Sequence, residues 1–118
     1  HEVGHALGLG HAGPYDGKAD KEDREFPNDS WQATVMSYFT QEQTPRLGAD
    51  DAYVATLMPA DILAIQALYG TDVATRPGDT VYGANSDVGG YLGRLFAAQF
   101  DFMDLGEAVN LDFAATFT

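Results

Sequence analysis

The sequence predicts an α+β chain in two parts, a helical part over residues 1–70 and a β-rich part over 71–118. Three observations predict it. Residues 1–9 read as a helix end, in which Val3, Ala6, Leu7 and Leu9 run into the breakers Gly8 and Gly10. Residues 58–70, "MPADILAIQALYG", carry apolar side chains at helical spacing. The tail from residue 91, "YLGRLFAAQFDFMDLGEAVNLDFAATFT", alternates apolar and polar positions in strand fashion, with Phe100 and Phe102 and then Val109, Leu111 and Phe113.

Between the first two elements, residues 12–33 are polar and dense in turn formers, which predicts a long irregular loop, a kind of segment that tends to be functional or disordered. "TVMSYF" at 34–39 is a short apolar burst inside that polar surround. The 58–70 helix begins well, because Pro59 suits a first turn, and it ends well, because Gly70 suits the position just past the last turn. Ile62, Ile65, Gln66 and Tyr69 share one face, and Leu63 and Leu68 widen that stripe. The turn-rich run after Gly70 sets a boundary near residues 71–76. No internal repeat is present.

Composition excludes several function classes. With 18 acidic against 6 basic residues the net charge is −12, which disfavours a phosphate backbone as partner. No apolar run approaches the ~18 residues of a membrane span. There is no cysteine, so disulfides are excluded, which fits a cytosolic chain or a secreted one stabilised by bound ions. The sequence opens on His1, and its start reads as the edge of a partial chain.

The first eleven residues, "HEVGHALGLGH", hold the chemistry. Side chains four apart on a helix differ by only about 40° around its axis, so His1 and His5 lie on one face. Two imidazoles placed so can reach one ion at the roughly 2.0–2.1 Å of a zinc–nitrogen bond. Gly8 lets the chain leave through a left-handed conformation, which returns His11 as a third ligand. Three nitrogens leave a fourth position open for water, the mark of a catalytic rather than a structural site. Glu2, about 100° round from His1, reaches that water as a general base without ligating the metal. The spaced set of three histidines, a glutamate and a glycine arises by chance at fewer than about one site in a million on average residue usage.

These residues resemble the metzincin zinc endopeptidases, whose motif leads into a Met-turn. The resemblance implies that Met36 lies on a tight turn beneath the metal. Met36-Ser37-Tyr38, with Ala12 directly after His11, is similar to the serralysins among metzincins and differs from the Met-Tyr-Pro of matrixins and the post-histidine glutamate of astacins. It implies a role for Tyr38 as an extra ligand at rest and a hydrogen-bond donor to the developing oxyanion. "ADILAIQALYG" resembles the last helix of the serralysin catalytic domain, and "TRPGDTVYGANS" resembles the passage into its calcium-binding β-roll. There Arg76, Gly78 and Thr80 match carbonyl donors to Ca2+, with Asp79 adjacent.

The implied fold is the C-terminal half of a metzincin catalytic domain (zinc helix, Met-turn, C-terminal helix) over 1–70, followed by the start of a calcium-binding β-roll or β-sandwich over 71–118. The implied activity is that of a secreted, extracellular, monomeric zinc-dependent metalloendopeptidase acting on protein and peptide substrates, with no nucleic-acid or membrane partner. The family's substrate-pairing edge strand lies upstream of its zinc helix, so the chain alone is expected to be feebly active. One departure stands out: "LFAAQFDFMDL" joins directly two strands that the family separates with an Asp-x-Gly-Gly-x-Asp run, leaving Asp101 and Asp104 as substitutes for its calcium ligands. Three other readings stay open at this point: a non-catalytic zinc- or calcium-binding β module, a matrixin-type metzincin, and copper chelated by the amine and ring of His1.

Overall fold

The computed structural model describes residues 1–44, 48–71, 78–101 and 113–114. Its elements in order are α1 (Glu2–Ala6), a single 3-10 turn (Lys21–Asp23), β1 (Tyr53–Val54), α2 (Pro59–Tyr69), α3 (Gly90–Phe100) and β2 (Phe113–Ala114). The chain divides into two compact units, His1–Asp72 with Asp112–Phe117, and Val73–Leu111 with Thr118. Among the described residues no helix is long and apolar enough to cross a membrane.

In the first unit α1 ends in a complete Schellman motif. The Leu9 amide donates to the Gly4 carbonyl at 3.0 Å and the Gly8 amide to the His5 carbonyl at 2.9 Å. Gly8 takes φ +92°, the left-handed conformation expected of it. The reversal sends residues 9–11 back along the helix they have just left. Beneath α1 lies Met36, 2% exposed. Gly4 is packed so closely against its sulfur that a Cβ there would collide with it.

Helix α2 starts at Pro59 and stops at Gly70, whose φ is +97°. Asp61, in its first turn, is 2% exposed and accepts the Met58 amide at 2.8 Å. The same carboxylate reaches out of the helix to the Thr34 hydroxyl at 2.5 Å and the Val35 amide at 2.9 Å. The "TVMSYF" burst is thus neither helix nor strand but a turn, hung on α2 by a buried acid. Trp31 braces its far side, with the backbone amide donating to the Phe39 carbonyl at 2.9 Å and the indole N–H to the Ser37 carbonyl at 2.9 Å. Tyr15, Met36, Phe39 and Met58 form the buried apolar set of this unit. The widened α2 stripe is corrected: Leu63 is 67% exposed, Leu68 58% and Tyr69 68%. The helix is apolar most of the way round, and the chain covers only the side bearing Asp61, while Tyr69 uses its hydroxyl to donate to the Leu7 carbonyl at 3.0 Å. Strands β1 and β2 pair in parallel, Tyr53 opposite Phe113.

The second unit overturns the strand reading of residues 90–100, which form α3. Leu92, Leu95 and Phe96 stand at i, i+3 and i+4 on one face, and Leu95 and Phe96 are buried. Leu, Ala, Arg and Gln dominate the segment and favour helix, so the alternation seen further on, at Phe100 and Phe102, does not extend back into it. Gly93 admits the Val88 carbonyl where any Cβ would collide. The Phe96 ring meets Tyr82 and Phe100 with centroids 6.3 and 6.2 Å apart. The remaining strand expectations at Phe102, Val109 and Leu111 lie outside the described residues.

Candidate metal centre

The helical spacing of His1 and His5, and the Gly8 reversal before His11, gather the three rings into one cluster. One ring nitrogen from each lies within 4.8 Å of the others. Among the described residues this is the group of three or more His, Asp or Glu side chains within reach of a single ion. Each ring is fixed by its other nitrogen. His1 Nδ1 donates to the Val35 carbonyl at 2.7 Å, His5 Nδ1 to Leu9 at 2.9 Å and His11 Nδ1 to Tyr15 at 2.6 Å. A carbonyl only accepts, so each Nδ1 carries a proton and Nε2 is the ring nitrogen left to face an ion.

The donor set therefore fits a cation. His5 Nε2 and His11 Nε2 stand 3.1 Å apart. That spacing is close to the ~3.3 Å that would separate two nitrogens sharing one tetrahedral zinc with bonds of about 2.05 Å. Carbonyls that orient the rings are the outer shell that metal-bound histidines require.

Two further predicted residues border the same space. Glu2 and Tyr38 line one cleft of ≈ 620 Å³ together with His1, Trp31 and Tyr53. The Tyr38 ring lies 4.7 Å from the His11 ring and 5.5 Å from the His1 ring, centroid to centroid. Its hydroxyl oxygen accepts the Gly17 amide at 3.2 Å, which leaves the phenolic proton available to a ligand. Gly17 itself has φ +73°.

The candidate calcium residues belong to the second unit. Gly78 and Asp79 are exposed, and the Thr80 amide donates to the Gly78 carbonyl at 2.9 Å. Arg76 and Asp104 lie outside the described residues. Asp101 is engaged with protein, its two carboxylate oxygens accepting the Asn85 amide at 2.8 and 3.1 Å.

Sequence reasoning missed Asp61, Tyr15 and Asp29. Asp61 was signalled by its place as an acid in the first turn after Met58-Pro59, a capping position. Tyr15 is 5% exposed in the middle of the polar loop, and its hydroxyl donates to both oxygens of Asp29 at 3.1 Å. Burial pushes the Tyr15 phenol above its ordinary value of 10.0, against a hydrogen bond with Ser37 that lowers it and with the charge of Asp29 that raises it. No local pattern marks that pair.

No protein-family model matches the chain. It is 46% identical over 92 residues to "Serralysin C" of Dickeya chrysanthemi, a match covering 74% of this chain and 19% of the relative. It is 43% identical over 94 residues to "Serralysin" of Proteus mirabilis, covering 75% and 18%, and 41% identical over 93 residues to "Metalloprotease AprA" of Pseudomonas entomophila, covering 74% and 19%. The chain thus spans about a fifth of the length of the curated relatives it matches.

Proposed function

This chain belongs to the serralysin-type metzincins, and from that premise we propose that it carries the metal-binding and proton-transfer residues of a zinc-dependent metalloendopeptidase. The observation that carries the reading is the convergence of three imidazole rings, each locked through Nδ1 by a backbone carbonyl. His1, His5 and His11 would hold the ion. Zinc bound there supplies an electrophile for the scissile carbonyl and lowers the pKa of water toward neutrality.

The chain's own residues do the rest. Glu2, on the cleft wall, takes the proton from attacking water and passes it to the departing amine. Tyr38 aims its phenolic proton at the oxygen of the scissile carbonyl, where negative charge builds. The cleft beside them, lined also by Tyr53 and Trp31, admits an extended polypeptide. Secretion into the extracellular space and a Ca2+ bound by the carbonyls of Arg76, Gly78 and Thr80 with Asp79 belong to the same reading, supported by the likeness of that stretch to the family's.

The test is metal analysis after exhaustive dialysis, combined with cleavage of a quenched fluorogenic peptide by wild type and Glu2→Gln. One zinc per chain in both, with cleavage at least about a hundredfold slower in Glu2→Gln, is expected. Zinc-loaded wild type cleaving no faster than Glu2→Gln would overturn the catalytic reading.

A further inference from the structure

Residues 15–17 reach His11 and Tyr38 in three separate ways, through the Tyr15 carbonyl, the Tyr15 ring and the Gly17 amide. The Tyr15 carbonyl fixes His11 Nδ1 at 2.6 Å. The Tyr15 ring stacks on the His11 ring at 5.5 Å, inclined by 25°, and lies 4.8 Å from the Tyr38 ring. Two residues on, the Gly17 amide holds the Tyr38 hydroxyl at 3.2 Å. The loop that does this has no helix or strand of its own between Leu7 and Asp20, beyond the single bridge of Asp16 to Lys18. Its position is therefore set by side-chain anchorage. The anchor is Asp29, 3% exposed, whose two oxygens both accept the Tyr15 hydroxyl.

We propose that Tyr15 and Asp29 act as a pair of positioning residues, which set the orientation of the third histidine and the placement of Tyr38 from outside the reacting centre. The inference rests on the zinc reading above. The Tyr15 hydroxyl is shared between the two oxygens of a buried carboxylate at 3.1 Å each, which ties its ring to Asp29. An unanchored Tyr15 would let its own carbonyl drift. His11 would then lose the partner that fixes its tautomer, and outer-shell losses of that kind weaken metal affinity by about 10–100-fold. His1 and His5 are held by Val35 and Leu9, so their orientation is independent of this anchor. The consequence is asymmetric: one ligand of three loosens.

The experiment compares wild type, Tyr15→Phe, Asp29→Asn and Phe96→Leu as full 118-residue chains. Phe keeps the ring and the carbonyl and deletes only the hydroxyl; Asn keeps the volume and one acceptor. Zinc Kd is measured by chelator competition and the Co2+ derivative by its visible absorption, at a temperature where circular dichroism shows each metal-free chain folded. The expected result is a zinc Kd weakened about tenfold or more in Tyr15→Phe, less in Asp29→Asn, with a changed Co2+ band in both. Phe96→Leu, in the second unit, should lower stability and leave Kd and band as in wild type. Should Tyr15→Phe not fold, Asp29→Asn decides by the same two readouts. Kd and spectrum unchanged in the variants while wild type binds zinc would overturn this inference alone. Wild type that takes up no zinc would overturn the zinc reading and this inference together.

Discussion

Asp61 and Thr34 stand 27 positions apart and share a hydrogen bond of 2.5 Å, both side chains buried. With the Val35 and Met58 amides on its other oxygen, the Asp61 carboxylate fastens the turn that carries Met36 to the first turn of α2. His1 depends on this indirectly, because its ring is held by the carbonyl of Val35.

Asp61→Ala removes the carboxylate that accepts from those three donors. At about 1 kcal/mol or more for each orphaned buried donor, the loss is at least about 3 kcal/mol. Urea unfolding followed by circular dichroism reads it directly. A loss under about 1 kcal/mol would mean that water replaces the carboxylate.

At Gly4 two effects oppose one another. Alanine is the better helix former by about 1 kcal/mol. Its methyl, however, would collide with the Met36 sulfur, and overpacking a filled interior costs about 1–3 kcal/mol. Gly4→Ala is expected to be destabilising on balance, and the double variant with Met36→Ala should lose less than the sum of the two single losses. Urea unfolding of the single and double variants checks both signs.

The Tyr15 phenol is raised above 10.0 in the folded chain by burial. Folding favours the protonated form, so this contribution to stability is fully present below pH 10.0 and is lost as pH climbs through the raised folded value. The unfolding free energy of wild type should therefore fall more steeply above that pH than that of Tyr15→Phe. Parallel urea titrations at stepped alkaline pH would show it, and equal slopes would contradict it.

Zinc at about a thousand times its Kd adds about 4 kcal/mol to the free energy of unfolding by mass action. Stripping with phenanthroline should lower the thermal midpoint, and returning zinc should restore it. His11→Ala should show no such response. A wild-type midpoint indifferent to chelation would argue against tight binding at the cluster.

The gathering of the three histidines was legible in the sequence because its geometry is local. His1, His5, Gly8 and His11 are related by helix pitch and one left-handed residue, and both can be read from spacing. The bounds of α2 were legible for a similar reason, since Pro59 and Gly70 act on their own backbone. Tyr15 and Asp29 were not, because the bond between them spans 14 positions of turn-forming chain with no period to follow. α3 was misread because a few alternating aromatics further on were weighed above the i, i+3, i+4 spacing of Leu92, Leu95 and Phe96. The exposure of Leu63 and Leu68 was equally out of reach, since periodicity names an apolar face and not what covers it.

Trp31 is the chain's single tryptophan, and both of its N–H groups end on the turn that bears Met36 and Tyr38. The molecule therefore has a built-in optical probe. Its emission arises from one indole, half-buried on the wall of the cleft and bonded to the carbonyl just before Tyr38. Ligand entry, ion uptake and loosening of the turn all change the surroundings of that one fluorophore, so each can be followed in real time without a label.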